Sequence, residues 1–361
     1  MSTRNPLEVA LPLGDGTWVV PGNRADLLDA RTASPPPEVS VVIPYYREQA
    51  RLDLVLTALA DQTHPAGRLE VVIADDGSPR PPRVPPEAAG LRVTVVRQDD
   101  RGFRPAAARN LGVRAATGSV LCFLDGDTVP EPDYVHRASR LPSLLPDAVV
   151  TGRRRHADLS GWTPTRLQAW RRDGAPPPSE LAEPAWLREL SVRLGSGPGG
   201  VTDSSFRAVI SAVLTCGRSL FAEVGGFDET FTRYGGEDWE LAHRLFTAGA
   251  VIAHEPRAVA WHDGPDWAGR VDDQVDATAQ KAAEAAALAA RVPEPALRRG
   301  TDPADLLVAP DVVVRARGAD PATVHVLLGL GDVGVWTGPA ARGVPAGSSD
   351  PRVHDGEPPA A

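Results

Sequence analysis

The amino-acid sequence predicts an α/β protein with a doubly wound, mostly parallel sheet. Two runs, VSVVIPYY from Val39 and LEVVIADDGS from Leu69, are apolar at consecutive rather than alternate positions. Strands that are buried on both faces of a parallel sheet have this pattern. Segments with helical spacing separate such runs, and acidic residues follow two of them. Because open α/β sheets bind ligands at the carboxyl ends of their strands, these acids mark a candidate site.

The elements of the first half follow in order from Val39. After the strand VSVVIPYY, leucine and valine at helical spacing predict a helix from Arg51 to Ala60. LEVVIADDGS and LRVTVV predict the second and third strands. FRPAAARNLGVRAATG predicts a helix that is closed by Gly118, and SVLCFLDGD predicts a fourth buried strand. This alternation implies right-handed crossovers between parallel strands.

The second half of the chain is less regular. Residues 153–205 contain consecutive arginines, several tryptophans and a proline run, and we expect an irregular segment there. GGEDWELAHRLFTAG predicts a helix with Leu241, Leu245 and Phe246 on its buried face. VIAHEP and AVAWHDGP predict two further short strands.

Composition and charge exclude several classes of protein. The chain has 361 residues, of which 42% are hydrophobic and 24% charged, so a globular core can form. With 38 basic and 47 acidic side chains the formal charge is −9, and no basic block is present. We therefore expect no nucleic-acid partner. Two cysteines, Cys122 and Cys216, are too few for a disulfide framework or a zinc site.

The sequence also argues against membrane insertion. It has no run of about 18 apolar residues, so no transmembrane segment is expected. The opening residues, MSTRNPLEVALPLGDG, lack a charged start followed by an apolar run, so no signal peptide is expected. We therefore expect a cytoplasmic protein, and peripheral association with the inner face of the membrane stays open.

Asp125-Gly126-Asp127 is the most informative motif, because it follows the buried run SVLCFL directly. Two carboxylates one residue apart at a strand end suit a divalent cation such as Mg²⁺ or Mn²⁺, which prefers hard oxygen ligands. The ordinary alternative is a turn, since Asp and Gly are common turn residues. The position after a buried strand favours the metal.

Three further positions carry candidate chemistry. Asp75 and Asp76 end a strand, where a carboxylate can accept the imide hydrogen of uracil or thymine, although a turn is the simpler explanation. Glu237 and Asp238 begin a helix, where acids also complement the helix dipole and where one could act as a general base. His262 ends a strand and becomes a third metal ligand only if the fold returns it to the aspartate motif.

Together these segments resemble family-2 glycosyltransferases of the GT-A fold, over roughly residues 38–268. The resemblance rests on VSVVIPYYRE, VVIADDGS, RGFRPAAARNLGVRAATG, FLDGDTVPEPDYV and GGFDETFTRYGGEDWELAHRLFTAG. It is strongest for bacterial chondroitin-synthase-type transferase domains, and the GGF…GGED segment is also similar to β-1,4-galactosyltransferases. It implies a metal-dependent inverting enzyme that uses Mn²⁺ or Mg²⁺. Such an enzyme moves a sugar from a nucleotide-sugar donor, UDP- or dTDP-linked, to an acceptor hydroxyl, and the acceptor here is unknown.

The resemblance also assigns roles to particular residues. Asp238 would be the catalytic base and Glu237 would assist it. Asp127 would be the main metal ligand, with Asp125 and His262 beside it. The expected nucleotide contacts are Pro44, Tyr46, Glu48, Asp75, Asp76, Arg104, Asp125 and Gly126. The expected acceptor or sugar contacts are Tyr234, Gly235, Gly236 and Glu237.

Other residues have expected supporting roles. Arg109 and Asn110 are expected to brace the turn at Asp75 and Asp76. Trp239 stands where galactosyltransferases carry an acid that grips the acceptor, so their acceptor is not inherited. Acceptor recognition is expected in residues 153–205 because long loops often bind ligands. The residues named for it are Trp162, Trp170, Trp186 and Arg153–Arg155, the alternative being tryptophans packed onto the core.

The sequence disfavours three alternative functions. Retaining transferases of the polypeptide N-acetylgalactosaminyl kind carry Asn where this chain has Asp238, and an amide cannot act as a base. A nucleotidyltransferase would need a glycine-rich first loop and usually a lysine, but the only lysine, Lys281, lies in the C-terminal tail. A non-catalytic sugar-nucleotide or carbohydrate-binding module would be expected to have lost Asp127, Asp238 or His262.

These assignments imply a division of the chain into four parts. Residues 1–37 would be an N-terminal extension with two short strands around a Gly-Asp-Gly turn. Residues 38–268 would be the catalytic domain, with a nucleotide-binding half (38–150) and an acceptor and base half (151–268). Residues 269–337 would form an appendage of helix and strand, and residues 338–361 a disordered tail.

Overall fold

The computed structural model describes residues 9–194, 201–202, 204–265, 274–292, 312–316, 321–328, 333–336 and 353–354. The chain divides into two compact units, Met1–Gln274 and Val275–Ala361. Within the described residues, no helix combines the length and the apolar character needed to cross a membrane. The finer domain limits expected from the sequence stay predictions.

The first unit contains two sheets and seven α-helices among its described residues. The strands are β1 (Leu11–Pro12), β2 (Trp18–Val19), β3 (Val39–Tyr45), β4 (Leu69–Asp75), β5 (Arg92–Arg97), β6 (Val120–Leu124), β7 (Thr128–Pro130), β8 (Ala148–Asp158), β9 (Ser179–Leu181), β10 (Val213–Gly217) and β11 (Val251–Asp263). The helices are α1 (Gln49–Ala60), α2 (Pro105–Ala115), α3 (Tyr134–Leu144), α4 (Pro164–Asp173), α5 (Ala185–Leu194), α6 (Arg218–Glu223) and α7 (Glu237–Thr247).

The large sheet has the strand order β5-β4-β3-β6-β10-β8-β11-β7, with β9 paired to β8. β5, β4, β3 and β6 are parallel to one another, and β8 is parallel to β11. β10 lies between β6 and β8 and is antiparallel to both, and β7 and β9 are also antiparallel to their neighbours. Six of the nine strands therefore run in one direction. The predicted α/β class with a mostly parallel sheet is confirmed.

The burial of the strands explains why their sequences are apolar. β4 and β6 are buried at every residue, and β3 at every residue but one, whereas β5 at the edge is largely exposed. Helix α2 lies against β3 and β4 at close range: a Cβ built at Gly112 would stand 2.5 Å from a methyl carbon of Val42. A larger residue at position 112 would push the helix off the sheet.

Two expectations about the second half are wrong. Residues 153–194 are regular, because β8 continues to Asp158 and is followed by α4, β9 and α5. VIAHEP and AVAWHDGP are not two strands but the two ends of β11, whose pairing with β8 shifts register between Glu255 and Val259. The local irregularity accommodates the Glu-Pro-Arg sequence without ending the strand, since proline cannot donate to a ladder.

The small elements of the N-terminal extension fit the prediction. β1 and β2 form a two-stranded antiparallel sheet with the pairs Leu11–Val19 and Pro12–Trp18. Leu28, from the short 3₁₀ helix Ala25–Leu28, is fully buried in a cluster with Leu141, Leu144 and Val150. This cluster lies apart from the acidic strand ends.

The second unit has its own small sheet. It contains α8 (Gln274–Ala289, whose first residue lies at the division), α9 (Pro321–Leu328) and the strands β12 (Val312–Arg315), β13 (Val333–Trp336) and β14 (Val353–His354), which are parallel in the order β12-β13-β14. Val324 and Val335 are buried together in a cluster of this unit. The rest of the segment predicted to be a disordered tail lies outside the described residues.

Candidate active site

The Asp75–Asp76 corner is held by arginine and by backbone donors. The Asp75 carboxylate is fully buried, accepts a hydrogen bond from the Ser78 amide at 2.8 Å and lies 3.4 Å from a guanidinium nitrogen of Arg97. Asp76 accepts from the Arg104 amide at 2.9 Å and from the Gln98 side chain at 2.7 Å. The predicted nucleotide residues Asp75, Asp76 and Arg104 thus meet at one strand end.

Gly77 lets this corner approach the next loop. It has φ +83°, and a Cβ there would stand 2.2 Å from the amide nitrogen of Asp100. The Tyr46 hydroxyl donates to the Asp100 carboxylate at 3.1 Å, and 40% of Tyr46 is exposed. Tyr46 therefore presents an aromatic face beside Asp76, where stacking on a base would require it.

The remaining predicted nucleotide residues occupy different positions. Gly126 lies close to Pro44, because a Cβ at position 126 would be 3.4 Å from the Pro44 carbonyl oxygen. Glu48 immediately precedes α1, is exposed, and its carboxylate is 3.7 Å from a guanidinium nitrogen of Arg51. Its contacts assign it no role beyond the start of the helix.

Strand pairing brings His262 to the aspartate motif. β11 is antiparallel to β7, with His262 opposite Thr128, and the Asp263 amide donates to the Asp127 carbonyl at 2.9 Å. The imidazole Nε2 of His262 is 3.6 Å from a carboxylate oxygen of Asp127, and its ring lies 4.9 Å from that of His156. The fold therefore returns His262 to the aspartate motif, which is the condition for His262 to be a candidate metal ligand.

These donors fit a small divalent cation in type, since carboxylate oxygen and imidazole nitrogen both bind Mn²⁺. Among the described residues, however, no group of three His, Cys, Asp or Glu side chains is arranged to hold a metal ion. The third expected ligand, Asp125, is engaged elsewhere: its carboxylate accepts from an Nη of Arg109 at 2.7 Å.

Arg109 is the central cation of the site. It is 3% exposed and donates to Asp125 at 2.7 Å and to Glu237 at 3.0 Å, so it links the end of β6 to the start of α7. The two carboxylates hold the Arg109 pKa above its ordinary value despite burial, which by itself lowers it. A buried guanidinium requires such partners.

The expectation that Arg109 and Asn110 brace the Asp75–Asp76 turn is wrong. The contacts of that corner come from Ser78, Arg97, Gln98 and Arg104, whereas Arg109 contacts Asp125 and Glu237. The Asn110 side chain instead donates to the Phe227 carbonyl at 2.8 Å and accepts from the Phe227 amide at 3.0 Å. It therefore fixes the GGF segment that precedes α7.

Asp238 stands beside this cation without contacting it. Its carboxylate accepts from the Trp239 amide at 2.9 Å and, more weakly, from the Ser211 amide at 3.4 Å. Burial and, after it, the nearby Glu237 raise the Asp238 pKa to about 7, against the lowering effect of Arg109. A carboxyl with a pKa near neutrality is well matched to proton abstraction.

The turn before α7 is built from two glycines in the left-handed region. Gly235 has φ 87° and Gly236 φ 95°, and Gly236 caps the helix that begins at Glu237. L-residues with side chains rarely adopt these angles, so the pair of glycines is required to deliver both acids at the first turn. Tyr234, just before them, is exposed, and its ring centroid lies 6.3 Å from that of Phe103.

The arginines expected to recognise the acceptor have intramolecular partners. Arg153 is 3.0 Å from the Glu183 carboxylate, and Arg155 pairs with Glu180 and lies over the Trp261 ring at 4.2 Å. Arg153 and Arg155 lie at alternate positions of β8, and their partners lie on β9, just after it, and on β11. These partners explain why a polar run can continue a strand.

Two of the three tryptophans of that segment pack inward. Trp162 is buried and Trp170 packs against the core, with their rings in T-shaped contact at 5.8 Å. Trp186 alone of the three stays exposed. Of two cavities, the one of about 510 Å³ is lined by no predicted site residue, and the one of about 490 Å³ is lined by Arg153 and Arg154 of the expected acceptor segment.

Comparison with protein families agrees with this geometry. Residues 40–200 match the sequence model described as "Glycosyl transferase family 2", and residues 202–259 match "N-terminal domain of galactosyltransferase". The chain carries a family-2 glycosyltransferase domain. The resemblance inferred from the sequence is confirmed, including its second component in the GGF…GGED segment, and the family agrees with the GT-A fold expected for it.

Curated relatives of this glycosyltransferase domain act on different substrates. The chain is 29% identical to a chondroitin synthase of Pasteurella multocida (strain Pm70) over 269 residues, which are 70% of this chain and 27% of that protein. It is 36% identical to a validoxylamine A glucosyltransferase of Streptomyces hygroscopicus subsp. limoneus over 232 residues, 59% of this chain and 49% of the relative. The chain thus spans about half or less of these relatives.

Among solved structures, a mannosyltransferase from Pyrobaculum calidifontis in complex with GDP-Man and Mn²⁺ superposes with a TM-score of 0.49 at 19% identity. That superposition covers 77% of this chain and 74% of the other.

Sequence reasoning missed the central part of the glycosyltransferase site. From the sequence, Arg109 is expected at the Asp75–Asp76 turn, and Ser211 is not among the expected site residues. A buried arginine within a helix that is otherwise alanine-rich was a usable signal for Arg109, since such a cation needs carboxylates nearby. Ser211 contacts Asp238 through its backbone, which no residue-type pattern reveals.

Proposed function

We propose that the chain transfers a sugar from a nucleoside diphosphate sugar to an acceptor hydroxyl, with inversion at the anomeric carbon. The observation that carries the proposal is the double contact of Arg109 with Asp125 and Glu237. It puts the acid expected on the donor side and the acid expected on the acceptor side against one buried cation. A transferase needs these two sides within reach of one reacting carbon.

The donor side is the Asp75–Asp76 corner with Tyr46. Asp76 would accept the imide hydrogen of a uracil or thymine ring, Tyr46 would stack on that ring, and Arg104 would contact the base or the diphosphate. Asp76 is already fixed by the Arg104 amide and by Gln98, so its carboxylate is held in place before the donor binds. A UDP- or dTDP-sugar is therefore the proposed donor.

Asp127 and His262 would hold the divalent cation, Mn²⁺ or Mg²⁺, and Asp125 would join them through the carboxylate oxygen that Arg109 does not contact. When bound, the cation would neutralise charge on the leaving nucleoside diphosphate. The 3.6 Å separation of His262 from Asp127 supports this pair as the core of the site.

Asp238 is the proposed general base. It would take the proton of the acceptor hydroxyl as the oxygen attacks the anomeric carbon from the face opposite the leaving group. Glu237, held by Arg109, would contact the acceptor or the donor sugar together with Tyr234 and the Gly235–Gly236 turn. The acceptor itself, whether a glycan, a metabolite or a peptide, is left to experiment, and the proposed location is the cytoplasm.

The proposal is tested by a donor-hydrolysis screen over UDP-, dTDP- and GDP-sugars with Mn²⁺. We expect release of UDP or dTDP. NMR of the product sugar should show the anomeric configuration opposite to that of the donor; retained configuration would favour the retaining mechanism. Donor binding without any turnover, with every acceptor offered, would instead favour a binding module.

A further inference from the structure

A second cluster of unusual side chains adjoins Asp238. Helix α5, the 3₁₀ turn Ser205–Ala208 and helix α7 pack against one another and contribute Trp186, Arg207 and Trp239 respectively. Trp239 follows Asp238 directly, and the Ser211 amide, just beyond the turn, contacts the Asp238 carboxylate at 3.4 Å. The cluster therefore lies next to the proposed base.

The aromatic part of the cluster is open to solvent. The rings of Trp186 and Trp239 are in T-shaped contact, with centroids 5.8 Å apart and an interplanar angle of 83°. Trp186 nevertheless keeps 39% of its surface exposed. An exposed tryptophan held at a fixed angle by another is a rigid apolar surface on which a sugar or other ring can stack.

The cationic part of the cluster lacks a counter-ion. The guanidinium carbon of Arg207 lies 5.0 Å from the centroid of the Trp239 ring. Among the described residues, Arg207 forms no ion pair, and its buried Nε has no hydrogen-bond partner. Arg153, by contrast, is paired with Glu183. Arg207 as a whole is only half-buried, so its guanidinium can pair with an anionic ligand.

The negative charge around the proposed base, Asp238, favours a cation such as Arg207 in this cluster. Glu237 and Asp238 make the acceptor side negative, so an anionic acceptor would be repelled from it. A guanidinium that is paired with no carboxylate of the described residues would compensate this repulsion, and a neutral acceptor would need no such group.

We propose that Trp186, Trp239 and Arg207 form an acceptor subsite that binds a ring carrying a carboxylate or a phosphate. The ring stacks on Trp186 while the anionic group pairs with Arg207, which leaves a ring hydroxyl near Asp238. This inference rests on the proposed transferase function and names the chemical class of its acceptor.

The test uses small rings that differ only in charge: methyl glucuronide, glucose 6-phosphate and methyl glucoside. Their binding to the full chain is measured by saturation-transfer NMR in the presence of UDP and Mn²⁺. Wild-type protein should bind at least one anionic ring about 10-fold or more tightly than the neutral ring, as a charge-assisted hydrogen bond requires. Binding of only one anionic ring supports the subsite and identifies its anion.

Two variants and one control locate the binding. Arg207→Gln should remove the preference for the anionic rings, and Trp186→Leu should weaken the binding of all three rings. Arg188→Gln, which alters an exposed arginine on the same helix as Trp186, should change nothing. Equal binding of charged and neutral rings by wild-type protein, or an anion preference that survives Arg207→Gln, would overturn the subsite.

Donor hydrolysis separates this inference from the function on which it rests. If wild-type protein hydrolyses the donor but prefers no anionic ring, the subsite is wrong and the transferase stands. If wild-type protein neither binds nor hydrolyses any nucleotide sugar, the transferase is wrong, whatever the rings do.

Discussion

The ionisation of Asp238 should control the rate of transfer between about pH 5 and pH 9. The pKa of this carboxyl is raised to about 7, first by burial and then by Glu237. Only the ionised carboxylate can accept a proton, so the rate should rise with pH through this value and reach a plateau above it.

The size of the effect follows from the pKa. With a pKa of about 7, about 10% of the carboxyl is ionised at pH 6 and about 1% at pH 5. The rate should therefore fall about 10-fold per pH unit on the acid side. Asp238→Asn should cut kcat by about 10²–10⁴-fold, the usual contribution of a positioned base, while donor affinity stays nearly unchanged.

A matched pair of variants assigns the profile to Asp238. Glu237→Gln keeps an oxygen that can accept from Arg109 but removes a negative charge that raises the Asp238 pKa. Its profile should shift to lower pH. Glu223→Gln, at an exposed carboxylate on α6, removes the same charge and should leave the profile unchanged.

The pH dependence of stability tests the Asp238 pKa independently, because ionisation of Asp238 lowers stability where it raises the rate. The Asp238 pKa lies above the 3.8 of an unperturbed aspartate, so the folded state binds this proton more tightly than the unfolded state. The resulting stabilisation is complete below about pH 4 and is lost as pH rises through about 7. Asp238→Asn should therefore raise the melting temperature relative to wild type at pH 8 and not at pH 4.

Two results would refute this reasoning. One is a pH-rate profile that is flat from pH 5 to pH 8 with chemistry shown to be rate-limiting. The other is a collapse of donor affinity in Asp238→Asn, measured by calorimetry, which would make Asp238 a donor contact and place the base elsewhere.

Three further predictions concern the rest of the site. EDTA should abolish turnover and Mn²⁺ restore it, and Asp127→Ala should lose turnover while its thermal melt stays close to wild type; full activity in EDTA would contradict the metal assignment. Arg109→Met should lower the free energy of unfolding in urea by about 3–5 kcal/mol, because it leaves Asp125 and Glu237 without their cation, whereas an unchanged urea midpoint would show the contacts to be dispensable. Gly77→Ala should cost about 1–3 kcal/mol or more, since it combines φ +83° with a backbone contact at 2.2 Å, and Gly67→Ala, with open space around it, is its control in the same assay.

The sequence predicts elements whose pattern is local. The runs that became β3, β4 and β6 are apolar at consecutive positions because both of their faces are covered, and α7 shows helical spacing because one of its faces is buried. The acids at the ends of these strands could be placed for the same reason, since parallel strands deliver their ends to one edge of the sheet.

What the sequence could not predict depends on distant partners. The arginines of β8 predict a loop because the carboxylates and the tryptophan that they contact lie 25 or more residues away in the sequence. Arg155 and Glu180, 25 positions apart, are an example. The placement of β10 between β6 and β8 joins segments that no local pattern relates. The link from Arg109 to Glu237 spans 128 positions.

Burial and the pairing of charges together explain why the pKa of Asp238 lies near neutrality. An arginine contacts each of four neighbouring acids: Asp75, Asp76, Asp125 and Glu237. Among the described residues, Asp238 has only backbone amides as partners. Burial disfavours the ionised form of Asp238 most, and the nearby negative charge of Glu237 adds to the effect. The arginines hold these four acids in place for binding and positioning, and that same arrangement leaves the Asp238 carboxylate free to accept a proton at working pH.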